Sequence, residues 1–211
     1  MALAAPWFPR RLFALLAASP ELFGMGGASL GQGTLGFIVE HAGWRVAMIT
    51  CGVFSAVLLL LIVAFVRNRT VSGIGPEDWP RPAAIARLLI SLPILSPAVA
   101  GGLVASAGVA FAWLWGVSFF QTYHHLSLSA ASVIASFYFW GCLPGMLGSA
   151  WLCSRYRIPA PLLALGAAGT AVMMGLILFV VHGHVALSAA MFVLGVFNSF
   201  YALSFTMVKD K

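Results

Sequence analysis

From Arg87 to Arg155 the intervening residues include no Asp, Glu, Lys or Arg, and the same holds between Arg157 and Lys209. A water-soluble domain cannot leave such lengths uncharged, because its surface needs solvating groups. Each stretch also far exceeds the ~20 apolar residues that one bilayer crossing takes. The chain therefore crosses a membrane repeatedly. Composition agrees: 8% of residues are charged, against roughly 25% in soluble domains. The net charge of +6 does not point to nucleic acid, because the basic residues stand in ones and twos.

The apolar runs are continuous rather than alternating, which favours helices over barrel strands. The expected fold is an all-α membrane protein with about six transmembrane helices, at 11–39, 46–66, 97–121, 128–153, 161–181 and 186–208. The segment 67–93 carries Gly73, Gly75, Pro76, Pro80 and Pro82 and reads as a central loop, with a short surface helix expected from Ala83 to Ile90. It separates two helices in 1–66 from four in 94–211. On this layout Arg10, Arg11, Arg67, Arg69, Arg81, Arg87, Arg155, Arg157, Lys209 and Lys211 share one side, and only Arg45 lies on the other. Lys/Arg-rich short loops stay cytoplasmic. Both termini are therefore expected inside, in a cell inner membrane. No signal-peptide pattern is visible in 1–9, so insertion is expected to be driven by the spans.

Glycine crowds the first helix, with Gly24, Gly26, Gly27, Gly31, Gly33 and Gly36 close together. Gly27 and Gly31 form a GxxxG pair, and Gly141 and Gly145 form another in the fourth helix. In lipid, small residues let helices approach closely, because packing replaces the missing hydrophobic drive. Two readings stay open: static packing, or an interface that slides and rocks. Glu21 is the one ionisable residue well inside a span, beside Pro20. An intramembrane carboxylate is costly and tends to be protonated, paired or in a wet cavity. It is either a proton-coupling group or, if the helix starts nearer Leu22, an interfacial first-turn acid. Gln32, Gln121, Tyr138, Asn198 and Tyr201 are further polar residues at depth. They line a cavity or serve as interhelical hydrogen-bonding glue.

The run Trp7-Phe8-Pro9-Arg10-Arg11, the glycine helix and Gly43-Trp44-Arg45 together resemble part of the major facilitator superfamily of transporters. The match is to the loop before the family's fifth helix, to that helix and to the start of the sixth. Gly27, Gly31 and Gly36 resemble the family's antiporter-type motif, which has proline where Gln32 stands and glycine where Leu35 stands. Gly145 and Gly148, followed by Ser154-Arg155-Tyr156-Arg157, resemble the cytoplasmic loop between helices eight and nine, with Ser154 in place of the family's Asp. The resemblance implies packing or gating roles for Gly27, Gly31, Gly36, Gly145, Gly148, Arg155 and Arg157. It also implies a partial bundle equivalent to helices five to ten of a family that usually has twelve. Such a chain is a fragment, depends on further copies or missing helices, or is inactive alone.

No P-loop, G-x-S-x-G, H-E-x-x-H or paired intramembrane carboxylate is present, so neither an enzyme nor ATP-driven transport is expected. Cys51, Cys142 and Cys153 read as packing residues, and the histidine pairs His124-His125 and His182/His184 as solvated turns. No metal or cofactor is expected. The expected partners are the lipid bilayer, an unknown small solute and protons. The leading reading is secondary transport of that solute by alternating access, with a non-transporting membrane interaction or assembly protein as the alternative. A membrane-embedded enzyme using the histidines is a third and weaker reading.

Overall fold

The computed structural model describes residues 13–66 and 91–209. The arginine-bearing segment before α1, the central loop at 67–90 and its expected surface helix lie outside the described residues. Those described residues contain helices and no strand.

Helix α1 runs Phe13–Ala42 and α2 runs Trp44–Phe65. Only Gly43 separates them, at φ +84°, a conformation that glycine adopts without a Cβ penalty. The third span, Ile94–Tyr123, is composite. Helix α3 (Leu92–Gly108) passes into a π-helical segment (Val109–Trp115) and then into α4 (Gly116–Tyr123). It starts earlier than the sequence suggests. Pro93 falls in the first turn, where a missing N–H costs nothing, and Pro97 lies inside the helix, as membrane-spanning helices allow. Helix α5 spans Leu128–Tyr156 and α6 spans Pro159–Phe179. The last span combines α7 (His184–Asn198), a 3-10 turn (Ser199–Ala202) and α8 (Leu203–Lys209).

Among the described residues, five spans are long and apolar enough to cross a membrane. Helix α1 is 30 residues long and carries Glu21, Gln32 and Glu40. The bundle centres on α5, which packs most extensively against α1 and α7. Ile134, Tyr138, Phe139, Met191 and Leu194 form the core between α5 and α7, and Phe111 and Phe120 of the third span join it. Helix α2 buries only Ala47, while Leu59, Leu60, Val63 and Phe65 stand exposed. Such an apolar exterior suits lipid, not water.

The α5–α7 seam is the tightest. A Cβ on Gly141 would fall on the Phe192 carbonyl, and one on Gly195 would fall on the Tyr138 carbonyl. The second GxxxG pair thus brings two backbones together, with Gly145 meeting Val196 and Ser199. Gly27, Gly31 and Gly148 are different: a Cβ on any of them would meet nothing within 4 Å. Helix α1 meets α5 through another face, where Ser29 Oγ donates to the Ser136 carbonyl at 3.1 Å and Gly36 abuts Ser132.

Candidate functional site

Glu21 and Gln32 are eleven residues apart, about three turns and ~16 Å along α1, so they share one stripe. Met25 and Ala28 lie between them and pack on the core, so this stripe is turned toward the other helices. At the Glu21 end, Tyr201 Oη donates to Glu21 Oε1 at 3.1 Å. This contact joins α1 to the 3-10 turn across 180 residues of sequence. Glu21 is exposed and Tyr201 half-buried, so the pair sits at the edge of the bundle.

One turn before Tyr201 lies Asn198, which is 0% exposed. Its Oδ1 accepts from Tyr138 Oη at 2.7 Å, and its Nδ2 donates to the Val104 carbonyl at 2.7 Å. A single side chain therefore ties α3, α5 and α7 together. Gly108 makes room for it: a Cβ there would fall on Asn198 Oδ1 and Tyr138 Oη. Cys142, 1% exposed, lies one turn along α5 from Tyr138. Four of the polar residues singled out in the sequence thus gather as two linked pairs, Glu21 with Tyr201 and Tyr138 with Asn198.

Both helix irregularities adjoin this node. The π segment begins immediately after Gly108, and the 3-10 turn begins immediately after Asn198. Such segments commonly mark functional or hinge positions, because they exchange hydrogen-bond partners at low cost. Gln32 reaches the π segment, with Nε2 donating to the Ala112 carbonyl at 3.4 Å. Its Oε1 is buried and finds no partner among the described residues. That leaves an acceptor free for a donor group.

The other sequence candidates lie elsewhere. Gln121 is half-buried near the end of α4, thirteen residues and ~20 Å from Gly108. Arg155 and Arg157 are exposed at the far end of α5. The Arg155 guanidinium sits 5.9 Å from the Tyr156 ring centre, and Arg157 ends the helix in the left-handed region at φ +54°. Cations there favour the helix C-terminus. In the α4–α5 loop, His124 packs against Phe119, Phe120, Tyr123 and His182. Burial, then the neighbouring His182 and His125, hold its imidazole below the ordinary histidine value. Among the described residues, no three His, Cys, Asp or Glu side chains converge as a metal site.

Sequence reasoning missed Gly108, the π segment and the Ser29–Ser136 contact. The small-residue run Ala105-Ser106-Ala107-Gly108 was the available signal for the first.

A multi-pass helical bundle with an apolar exterior, and polar side chains held at helix irregularities in its interior, is the architecture of an integral membrane protein. The family model described as Major Facilitator Superfamily matches residues 1–211, and the chain belongs to that family of membrane transporters. Compared with curated proteins, the chain matches none.

Proposed function

We propose that the chain moves a small solute across the cell inner membrane by alternating access, with both termini cytoplasmic and protons as the coupling ion. The observation that carries this reading is the Glu21–Tyr201 hydrogen bond. It sets Glu21, at the edge of the bundle, against the turn that follows buried Asn198. Protonating Glu21 removes the charged acceptor from that contact, and α1 is then freer to move against the α3–α8 bundle. Solute would bind along the stripe between Glu21 and Gln32, near Tyr138 and Asn198. The scarcity of charge inside the spans favours a neutral or amphipathic solute. Alternating access in such folds rocks one group of helices about a midplane site.

Reconstituted vesicles test this reading. In the unaltered chain, a proton gradient drives solute accumulation. In Glu21→Gln, accumulation against a gradient is lost while solute exchange persists. Tyr201→Phe removes the hydroxyl that donates to Glu21 and reduces accumulation without abolishing it. Unchanged proton coupling in Glu21→Gln removes Glu21 from the mechanism.

The alternative, a non-transporting membrane assembly protein, is favoured by the open faces at Gly27 and Gly31, which leave α1 free to receive another helix. That helix would come from a second copy or from helices outside this chain. Absence of uptake under every gradient, together with self-association in detergent, supports this second reading.

A further inference from the structure

Glu40 stands in the last turn of α1, and its Oε2 accepts the main-chain N–H of Ser129, 89 residues away. Ser129 lies in the first turn of α5, just after the Ser127 N-cap, whose Oγ accepts from Ala130 N at 3.3 Å. The first N–H groups of a helix have no intrahelical partner and carry partial positive charge. A carboxylate placed there both satisfies a donor and complements the helix dipole. Hydrogen bonds from Ser129, aided by His41 and Ser127, hold the Glu40 carboxyl below its ordinary value of 4.5. One turn deeper, Gly36 abuts Ser132. Beyond it, a Cβ on Gly33 would make ordinary contact with Val133 at 3.8 Å. Small residues therefore close the seam from Ser29 outward, and Glu40 is its one carboxylate among the described residues.

We propose that Glu40 is the latch of this seam: seated on the N-terminus of α5, it holds α1 and α5 together at this end, and opening there requires the contact to break. Other charged or titratable groups nearby are His41, stacked on Phe37, and Arg45, stacked on Trp44. His124 and His125 precede α5, and His182 and His184 flank the start of α7. Of these, His41 is the one that acts on Glu40. Because the folded-state value is depressed, the latch is fully charged above the ordinary carboxylate value. It is lost only as pH falls through the depressed one. At neutral pH it is a fixed charge, released by movement and not by titration.

The proposal rests on α1 moving against α5, as alternating access requires, but its test does not depend on transport. Spin labels are placed at the exposed positions Thr34→Cys and Trp140→Cys, with Cys51, Cys142 and Cys153 replaced by alanine, and inter-label distances are measured in detergent at neutral pH. The Glu40 chain is expected to show one short-distance population. Glu40→Ala adds a longer-distance population, and Glu40→Gln, nearly isosteric but uncharged, adds a smaller one. Ser129→Pro removes the donor at a first-turn position that accepts proline and has the same effect as Glu40→Ala. The double variant Glu40→Ala/Ser129→Pro opens the seam no further than either single change. Distances unmoved by Glu40→Ala and Ser129→Pro, or effects that add in the double variant, overturn the latch.

Discussion

Gly195→Val is expected to deprive the purified chain of its folded state in detergent. The position that a valine Cβ would occupy coincides with the Tyr138 carbonyl and lies 3.1 Å from Cys142 N. Backbone, not a flexible side-chain tip, must therefore move. Overpacking of this kind costs about 1–3 kcal/mol even in cores that adjust, and a backbone clash at the central seam falls at or above the top of that range. Gly141→Val meets the Phe192 carbonyl across the same seam and has the same outcome. Gly27→Ala and Gly148→Ala are the internal controls, since a Cβ at either meets nothing within 4 Å. They are neutral or stabilise by up to about 1 kcal/mol, because alanine loses less conformational freedom in a helix than glycine. Thermal unfolding followed by size-exclusion elution separates the two groups. Equal midpoints for Gly195→Val and Gly27→Ala would show that the α5–α7 seam is looser than described.

The second large effect belongs to Asn198→Leu. Leucine keeps the volume roughly but removes both the acceptor for Tyr138 Oη and the donor to Val104 O. The buried phenol is left with a stranded hydroxyl, a loss of about 1–3 kcal/mol by the cost of unpaired buried polar groups. Interhelical hydrogen bonds in membranes are often worth less, because the unfolded chain in lipid also finds partners. Tyr138→Phe in the Asn198→Leu background then restores part of the stability, because the stranded group is gone. That recovery in unfolding midpoint is the readout. Additive losses would show that the two side chains act independently. Gly108→Ala probes the same node from α3, since its methyl displaces Asn198 Oδ1 and Tyr138 Oη together. It should shift the unfolding midpoint in the same direction as Asn198→Leu.

Much of the architecture was legible because it depends on local quantities. The absence of charge from Arg87 to Arg155 announces lipid. Gly43 and the His182-Gly183-His184 turn announce reversals, with Gly43 and Gly183 both at positive φ. The polar residues Glu21, Tyr138, Asn198 and Tyr201 could be chosen as exceptional at depth, yet their pairing could not be read. Tyr138 and Asn198 lie 60 residues apart, and Glu21 and Tyr201 lie 180 apart. Gln121, equally exceptional in sequence, lies away from that node. In the glycine crowd of α1 the sequence offers Gly27, Gly31 and Gly36 alike as packing or gating positions. Gly36 abuts Ser132 of α5, while a Cβ on Gly27 or Gly31 would meet nothing within 4 Å. In sequence Glu40 is an ordinary helix-end acid, because its partner Ser129 belongs to a different helix.

The sequence by itself determined that this chain is a helical, multi-pass membrane protein, and roughly where it turns. A backbone in lipid must satisfy its own hydrogen bonds, and the bilayer sets the length over which it does so. Only the tertiary structure decided which face of each helix meets another. In lipid both faces are apolar, so hydrophobicity carries no rotational signal, and close backbone approach and a few polar contacts select the arrangement instead. The π and 3-10 segments beside Asn198 belong to this second class, since they arise where one helix adjusts to its neighbours.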